Sequence, residues 1–420
     1  MDGNTAIANI LKQEGTEYVF CYPANSLIEA AAIAGIRPIL ARTERTLVNM
    51  ADGYTRVLNG QKNGIVITQR GPGSENAFPG IAQAYSDGVP VLFMPGGFEI
   101  DRLGVPPLFW AVDNYRAVTK WQAVITSTGR ISEVMRRAFT HLRYGRPSPV
   151  LVEVPREVGS DEVQEEALNY WPVKRVRTAG DPEAVREAVR LLLSARNPVI
   201  HAGQGVLWSQ AWEELRQFAE LLQVPVLTTN PGKSAFPEDH PLSLGAGCGT
   251  APKAVFHFLK KADLVFGVGC SFTKSQYNIR VPDGKTMVQV TVDERDVNKD
   301  YPIAQAVIGD VKLVLEQLME EARRQMKASG WQPNDKVASE IRKVKEEWLS
   351  EWMPRLTSNE TPINPYRVIW DLMHTVDRTK TIVTHEAGHP RDQMLPFFET
   401  IIPRGYLGWG KSTHLGYSMG

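Results

Sequence analysis

Cysteine is scarce in this chain. Cys21, Cys248 and Cys270 are the only three in 420 residues, an odd number, far apart and never spaced Cys-x-x-Cys. That argues against a disulfide framework or a cysteine zinc site and fits a reducing cytoplasm. An excess of one charge is missing too. Lys and Arg number 47, as do Asp and Glu, and no basic run stands out. Such balance gives no electrostatic ground for a nucleic-acid partner or an anionic membrane surface. No apolar run reaches the roughly 20 residues that span a bilayer. Met1-Asp2-Gly3-Asn4 opens without the basic and apolar segments of a signal peptide. A Gly-Asp-Gly tripeptide is absent throughout.

What is present is regular alternation. At 420 residues the chain exceeds a single core, so two or three domains are expected. The most informative stretch runs from Ile39 to Gly97. A short apolar run ends at Arg42-Thr43-Glu44, and Leu47, Met50, Ala51, Tyr54 and Leu58 then share one helical face. Gly64-Ile65-Val66-Ile67-Thr68 precedes Arg70-Gly71-Pro72-Gly73-Ser74-Glu75-Asn76 and a second helix. Val89 to Met94 closes the stretch before Pro95-Gly96-Gly97. Strand, helix, strand, helix, strand predicts a parallel sheet covered by helices. Glu44 falls where a strand hands over to a helix, and ligands of open α/β sheets bind at such strand ends.

Glu44 before Met50-Ala51-Asp52-Gly53-Tyr54, the Gly71-Pro72-Gly73 loop with Asn76, and Ala84-Tyr85-Ser86-Asp87-Gly88-Val89-Pro90 resemble the pyrimidine-binding domain of thiamine-diphosphate enzymes, in particular the acetolactate synthase group. The resemblance implies that Glu44 is catalytic. Its carboxyl group would hydrogen-bond the cofactor's aminopyrimidine and favour the imino form, which takes the proton from the thiazolium carbon. A glutamate in the first turn of a helix is also favoured by the helix dipole alone. The loop and second helix are what tilt Glu44 toward the catalytic reading. Gly71, Pro72, Gly73 and Asn76, with Pro23 in the earlier turn Cys21-Tyr22-Pro23-Ala24-Asn25-Ser26, would shape the pyrimidine side. Family members usually carry glycines around that proline, and Cys21 and Ala24 depart from this. Gly96-Gly97 and Val105-Pro106-Pro107-Leu108-Phe109-Trp110 replace a glutamine and a phenylalanine–glutamine pair of acetolactate synthases. A roomier, more apolar substrate site and poor pyruvate self-condensation are therefore expected.

The remainder of the chain continues the likeness. Domain 1–160 would be the pyrimidine-binding domain, and residues 159–178, charged and without period, read as a linker. Domain 180–322 reads as a second α/β unit, with strands at Pro198–Ala202, Val224–Leu227, Asp263–Val268 and Met287–Val290. Ala235 to Gly245 resembles the family's central domain. In some members this domain holds FAD or a nucleotide and in many it holds nothing, so FAD stays open. Gly203-Gln204-Gly205 lacks the third glycine of a dinucleotide fingerprint and reads as a tight turn.

Residues 320–361 read as a charged helical connector, and 360–420 as the start of a diphosphate-binding domain. Pro365 to His374 is predicted as a helix capped by Asn364. His385-Glu386-Ala387-Gly388-His389 fits the His-Glu-x-x-His zinc signature, whose chemistry needs both histidines on one helical face. A preceding β run, Gly388 within and Pro390 after it argue against that helix, so a zinc hydrolase is the distant alternative. The resemblance instead implies a Glu-x-Gly loop whose backbone N–H groups hold phosphate oxygens. Glu386, Gly388 and His389 would lie on the diphosphate side, the last contact falling on His389 or Pro390. Tyr406 to Gly410 resembles the turn facing the aminopyrimidine, with Gly408, Trp409 and Gly410 as cofactor-binding residues.

The sequence stops at Leu415-Gly416-Tyr417-Ser418-Met419-Gly420, where the family begins a helix. The Gly-Asp-Gly segment and downstream asparagine that supply Mg²⁺ ligands are then expected beyond residue 420, or on a separate chain. No residue of this chain is read as a metal ligand. Residues from Tyr406 onward are expected to pack poorly. Taken together, the resemblance implies three successive parallel-sheet α/β domains, the third truncated, and a cytoplasmic thiamine-diphosphate-dependent lyase or transferase. It would make or break a C–C bond beside the carbonyl of a 2-oxo acid or related acyl donor. Family sites lie between subunits, which implies a homodimer or homotetramer. The rival is a non-catalytic or split subunit that binds cofactor only with a partner chain.

Overall fold

The computed structural model describes residues 1–412 and 414–420. They divide into two compact units, one of residues 1–176 with 410–420, the other of residues 177–409.

The first unit is built on six parallel strands: β1 (Tyr18–Cys21), β2 (Arg37–Leu40), β3 (Ile65–Thr68), β4 (Leu92–Gly97), β5 (Trp121–Val124) and β6 (Val150–Pro155). Their order is β2-β1-β3-β4-β6-β5. Around them run α1 (Gly3–Gln13), α2 (Ser26–Ile33), α3 (Glu44–Val57), α4 (Pro72–Asp87), α5 (Ala111–Asn114), α6 (Ile131–Arg143) and α7 (Arg156–Ser160). β3 and β6 are buried along their whole length, as central strands covered on both faces must be. Short polar side chains start the helices. Asp2 accepts from Thr5 N, Asn25 from Leu27 N and Thr43 from Thr46 N. α3 and α4 approach so closely that a Cβ on Gly80 would stand 2.6 Å from Val48 Cβ. The chain winds outward in both directions from β1 and β3, so the topological switch point lies between them. There Asn25 Nδ2 donates to Thr68 O at 2.9 Å. Ligand sites of such sheets lie outside the carboxyl ends of the strands at this point.

The second unit holds six more parallel strands: β7 (Pro198–Ala202), β8 (Val226–Thr229), β9 (Ser243–Gly247), β10 (Leu264–Val268), β11 (Thr286–Thr291) and β12 (Gln305–Ile308). They are ordered β12-β11-β10-β7-β8-β9. Its helices are α8 (Pro182–Ser194), α9 (Gly205–Trp208), α10 (Trp212–Leu222), α11 (Lys253–Lys261), α12 (Val311–Ser329) and α13 (Val337–Leu356). Gly203 and Gly205 form the tight turn expected from sequence. Added Cβ atoms would stand 2.3 Å from Gly269 O and 2.7 Å from Gly269 Cα, so these glycines serve close packing. The start of a third α/β element follows in the same unit: α14 (Pro365–Thr375), β13 (Val383–Thr384), α15 (His389–Phe397) and β14 (Tyr406–Leu407), with β13 and β14 pairing in parallel. A buried ion pair fastens it. Lys233 Nζ lies 2.5 Å from Glu238 Oε2 and donates to Leu395 O at 3.1 Å, while Thr400 N donates to Glu238 Oε2 at 2.8 Å.

Two expectations need correction. The segment from Tyr406 onward is not loosely packed, since Tyr406, Trp409 and Tyr417 are all buried. Nor does a helix start at Leu415; one 3₁₀ turn, Tyr417–Met419, stands there. The cause is a set of buried polar groups on α3 and α4, described below, that holds Gly410, Lys411 and Tyr417. Strands β5, β9 and β12 were not anticipated. β9 carries two glycines in Ser243-Leu244-Gly245-Ala246-Gly247, a composition that hides a strand.

Candidate functional site

In the first unit the candidate residues gather at the carboxyl ends of the strands. Glu44 is the first residue of α3, directly after the Thr43 cap. It is 7 % exposed and makes no hydrogen bond to any of the described residues. Facing it is the start of α4. A Cβ on Gly73 would lie 3.5 Å from Glu44 Oε1, 3.1 Å from Gln69 Cβ and 3.3 Å from Thr68 Cβ. A larger residue there would put its Cβ in van der Waals contact with the carboxylate and crowd Gln69 and Thr68. Gly71, the residue before Pro72, adopts φ +59°, and Phe98 Cζ sits 3.4 Å from where its Cβ would be. Arg70 stacks on the Phe98 ring at 5.4 Å and pairs with Glu99 at 3.2 Å, which fastens the start of the 98–110 loop. Asn76 is exposed on the first turn of α4 and Pro23 is exposed in the β1–α2 turn. Ala24, next to Pro23, holds φ +83° without being glycine.

Gly97 does not enlarge this region as its sequence context led one to expect. A Cβ there would meet Pro155 Cα at 3.0 Å and Glu153 Cγ at 3.2 Å, so that space is already filled. Glu153 on β6 is 1 % exposed and accepts from Val112 N at 3.2 Å. Burial pushes its carboxyl group up to about 7, against the hydrogen bonds that pull it down.

In the second unit, residues 385–388 form a loop and α15 begins only at His389. His385 and His389 therefore share no helical face. No group of three or more potential metal-ligating side chains occurs among the described residues, so the geometry gives the zinc alternative no support. Glu386 Oε1 accepts from Ala387 N at 2.9 Å. Gly388 takes φ +79° with nothing within 4 Å of an added Cβ, and His389 is exposed. The loop is tied to the later turn. Trp409 Nε1 donates to His385 O at 2.8 Å, and the two rings stack with centroids 5.4 Å apart. Asn230 Nδ2 donates to Trp409 O at 2.8 Å. A Cβ on Gly408 would lie 1.9 Å from Asn230 O, so that position admits glycine alone. Gly410 belongs to the first unit, where its N–H donates to Asp87.

Comparison with known proteins decides the family. Residues 1–125 match the thiamine pyrophosphate enzyme N-terminal TPP binding domain, and residues 185–318 match the central domain of the same enzymes. The whole chain aligns at 31 % identity with a probable acetolactate synthase large subunit of Methanocaldococcus jannaschii, covering 72 % of that protein. This chain belongs to the thiamine pyrophosphate enzyme family. It is also 25 % identical to the acetolactate synthase isozyme 3 large subunit of Escherichia coli K12, over 100 % of this chain and 74 % of that one. Identity to the glyoxylate carboligase of Escherichia coli O157:H7 is 27 %, over 98 % and 70 %. Benzoylformate decarboxylase from Polynucleobacter necessarius shares the fold, with a TM-score of 0.80 at 21 % identity, covering 100 % of this chain and 76 % of that structure.

The residues present fit the cofactor that defines this thiamine pyrophosphate enzyme family. A buried carboxylate without a partner is costly unless a donor arrives to satisfy it. Glu44 is 7 % exposed at the start of α3, where a donor can reach its carboxylate, and a Cβ on Gly73 would stand in contact with that carboxylate. Two sets of polar residues were not singled out from sequence. Asp52, Arg56 and Asp87 form a buried charge network, and Glu153 is a buried acid beside the 98–110 loop. Asp52 and Arg56, four residues apart on a helix, were a visible ion-pair signal. Their meeting with Asp87 on α4 was not.

Proposed function

We propose that this protein makes or breaks a C–C bond next to the carbonyl of a 2-oxo acid or related acyl donor, using thiamine diphosphate. The observation that carries the reading is Glu44, 7 % exposed at the start of α3, with its carboxylate facing Gly73 in a chain of this family. Thiamine diphosphate, when bound, supplies a nucleophilic thiazolium carbon and an electron sink for the bond being cleaved. The chain's own residues do the rest. Glu44 accepts and returns a proton at its carboxylate oxygens, from its place at the first position of α3. Gly71, Pro72, Gly73, Asn76 and Pro23 shape the pyrimidine side. Glu386, Gly388, His389, Gly408, Trp409 and Gly410 serve the diphosphate side, where Gly388 lets the backbone come close to phosphate oxygens. Phe98 packs over the Gly71 turn. Mg²⁺ accompanies the diphosphate, and the protein works as a homodimer or homotetramer.

The test is turnover. Purified protein with thiamine diphosphate and Mg²⁺ is incubated with a panel of 2-oxo acids, and products are followed by mass spectrometry. Cofactor-dependent decarboxylation or carboligation of at least one acid is expected. Absence of any such turnover, with the cofactor shown to be bound, would overturn the reading.

A further inference from the structure

Arg56 is fully buried on α3 and sits against two carboxylates. Its Nε lies 2.5 Å from Asp52 Oδ1, and its Nη2 lies 3.0 Å from Asp87 Oδ2 on α4. Asp52 and Asp87 are 1 % and 3 % exposed. Two carboxylates against one guanidinium leave an excess negative charge in the interior. Such a charge is tolerated only if hydrogen bonds satisfy its remaining lone pairs. One donor is local: Gln83 Nε2 reaches Asp87 Oδ2 at 2.6 Å. The others come from more than 300 residues away in sequence. Gly410 N donates to Asp87 Oδ2 at 3.1 Å, Lys411 N donates to Asp87 Oδ1 at 3.2 Å, and the Tyr417 hydroxyl donates to Asp52 Oδ1. Burial, against the opposing pull of Arg56, holds that hydroxyl well above its ordinary range, so it remains a donor. Asn49, also on α3, adds Nδ2 to Gly416 O at 3.3 Å and meets His414 Nε2 at 2.9 Å.

We propose that Asp87 is a positioning residue for the cofactor turn: its two oxygens fix the Gly410–Lys411 backbone and fold residues 410–420 onto α3, the helix that begins at Glu44. This rests on the reading of Gly408 to Gly410 as a cofactor-facing turn. A carboxylate suits the task because two adjacent N–H groups and a guanidinium all require acceptors. An asparagine would present an NH₂ group to one of these donors. Asp87→Asn leaves the Arg56–Asp52 ion pair in place.

Hydrogen exchange and cofactor titration on the full chain test this together. In Asp87→Asn, amides of peptide 408–417 should exchange about 10-fold faster, the effect of losing roughly one net hydrogen bond. Peptides from α1 and β6 should exchange as in the wild type. The Kd for thiamine diphosphate with Mg²⁺ should rise by a similar factor while kcat at saturation stays close to wild type, a split that a general loss of stability would not give. Unchanged exchange in 408–417, or faster exchange with an unchanged Kd, would overturn the role of Asp87. A wild-type protein that binds no thiamine diphosphate would instead sink the cofactor reading, and this proposal with it. Should Asp87→Asn fail to fold, Tyr417→Phe removes a single hydroxyl. It should speed exchange in 410–420 and weaken cofactor binding, and the absence of either change would equally overturn the proposal.

Discussion

Glu44 and Gly73 face each other across the start of two helices, the carboxylate oxygen 3.5 Å from the point where a Cβ on Gly73 would stand. The gap is made by the absence of a side chain, and it is the side on which Glu44 has room for a donor. Gly73→Ala tests this directly. The backbone there needs no positive φ, so alanine brings its helix preference of up to about 1 kcal/mol, set against tight contacts with Gln69 and Thr68. Thermal stability should therefore shift by no more than about 1 kcal/mol, while cofactor affinity falls at least about 10-fold, equivalent to roughly 1.4 kcal/mol. Calorimetric titration beside a melting curve checks both; an alanine variant that binds cofactor as the wild type does would remove Gly73 from the site.

Ala24 carries strain. Its φ of +83° is one an L-residue with a Cβ adopts at a cost of about 1–2 kcal/mol. Glycine would relieve that cost but gives back about 0.5–1 kcal/mol in unfolded-state entropy. Ala24→Gly should thus stabilise the protein by up to about 1 kcal/mol in urea denaturation. A clear loss of stability would mean the alanine methyl makes packing contacts that outweigh the strain.

Glu153 should leave a mark on stability against pH. Folded, it keeps its proton up to about pH 7, whereas its ordinary value is 4.5. Between those values the folded chain binds more protons than the unfolded chain, so stability falls as pH rises. The full span is about 3 kcal/mol, at 1.36 kcal/mol per unit. Glu153→Gln keeps an acceptor for Val112 N and removes the titration. Denaturation at pH 5 and pH 8, which covers most of that span, should show a drop smaller in the variant than in the wild type by roughly 2–2.5 kcal/mol. Equal drops would show that the buried carboxyl group does not titrate in this window.

Much of this was legible in the sequence, and for physical reasons. Parallel strands buried on both faces, such as Ile65-Val66-Ile67, must be continuous apolar runs, and a helix cap such as Asn364 announces itself by residue type. Glu44 was visible because its neighbours Gly71 and Gly73 form a local pattern. Other features depend on distance in space and leave no local trace. Gly97 looked like vacated space until Pro155 and Glu153, nearly 60 residues on, proved to occupy it. The packing of residues 410–417 was misjudged for the same reason. Their polar backbone groups look loose in sequence, and they are held by Asp52 and Asp87, whose charges need them.

The account stands most directly on proton transfer by Glu44. Glu44→Gln preserves shape and hydrogen-bonding reach but cannot exchange a proton with the pyrimidine ring. The variant should fold about as stably as the wild type, since glutamine keeps the size and shape of the side chain. Exchange of the thiazolium C2 proton of bound thiamine diphosphate, followed by acid-quench NMR at full cofactor occupancy, is the measurement. A well-placed proton-transfer group typically contributes about 10²–10⁴-fold, so exchange should slow by that factor in Glu44→Gln. Exchange at the wild-type rate in the fully loaded variant would contradict the assignment of Glu44 and the function built on it.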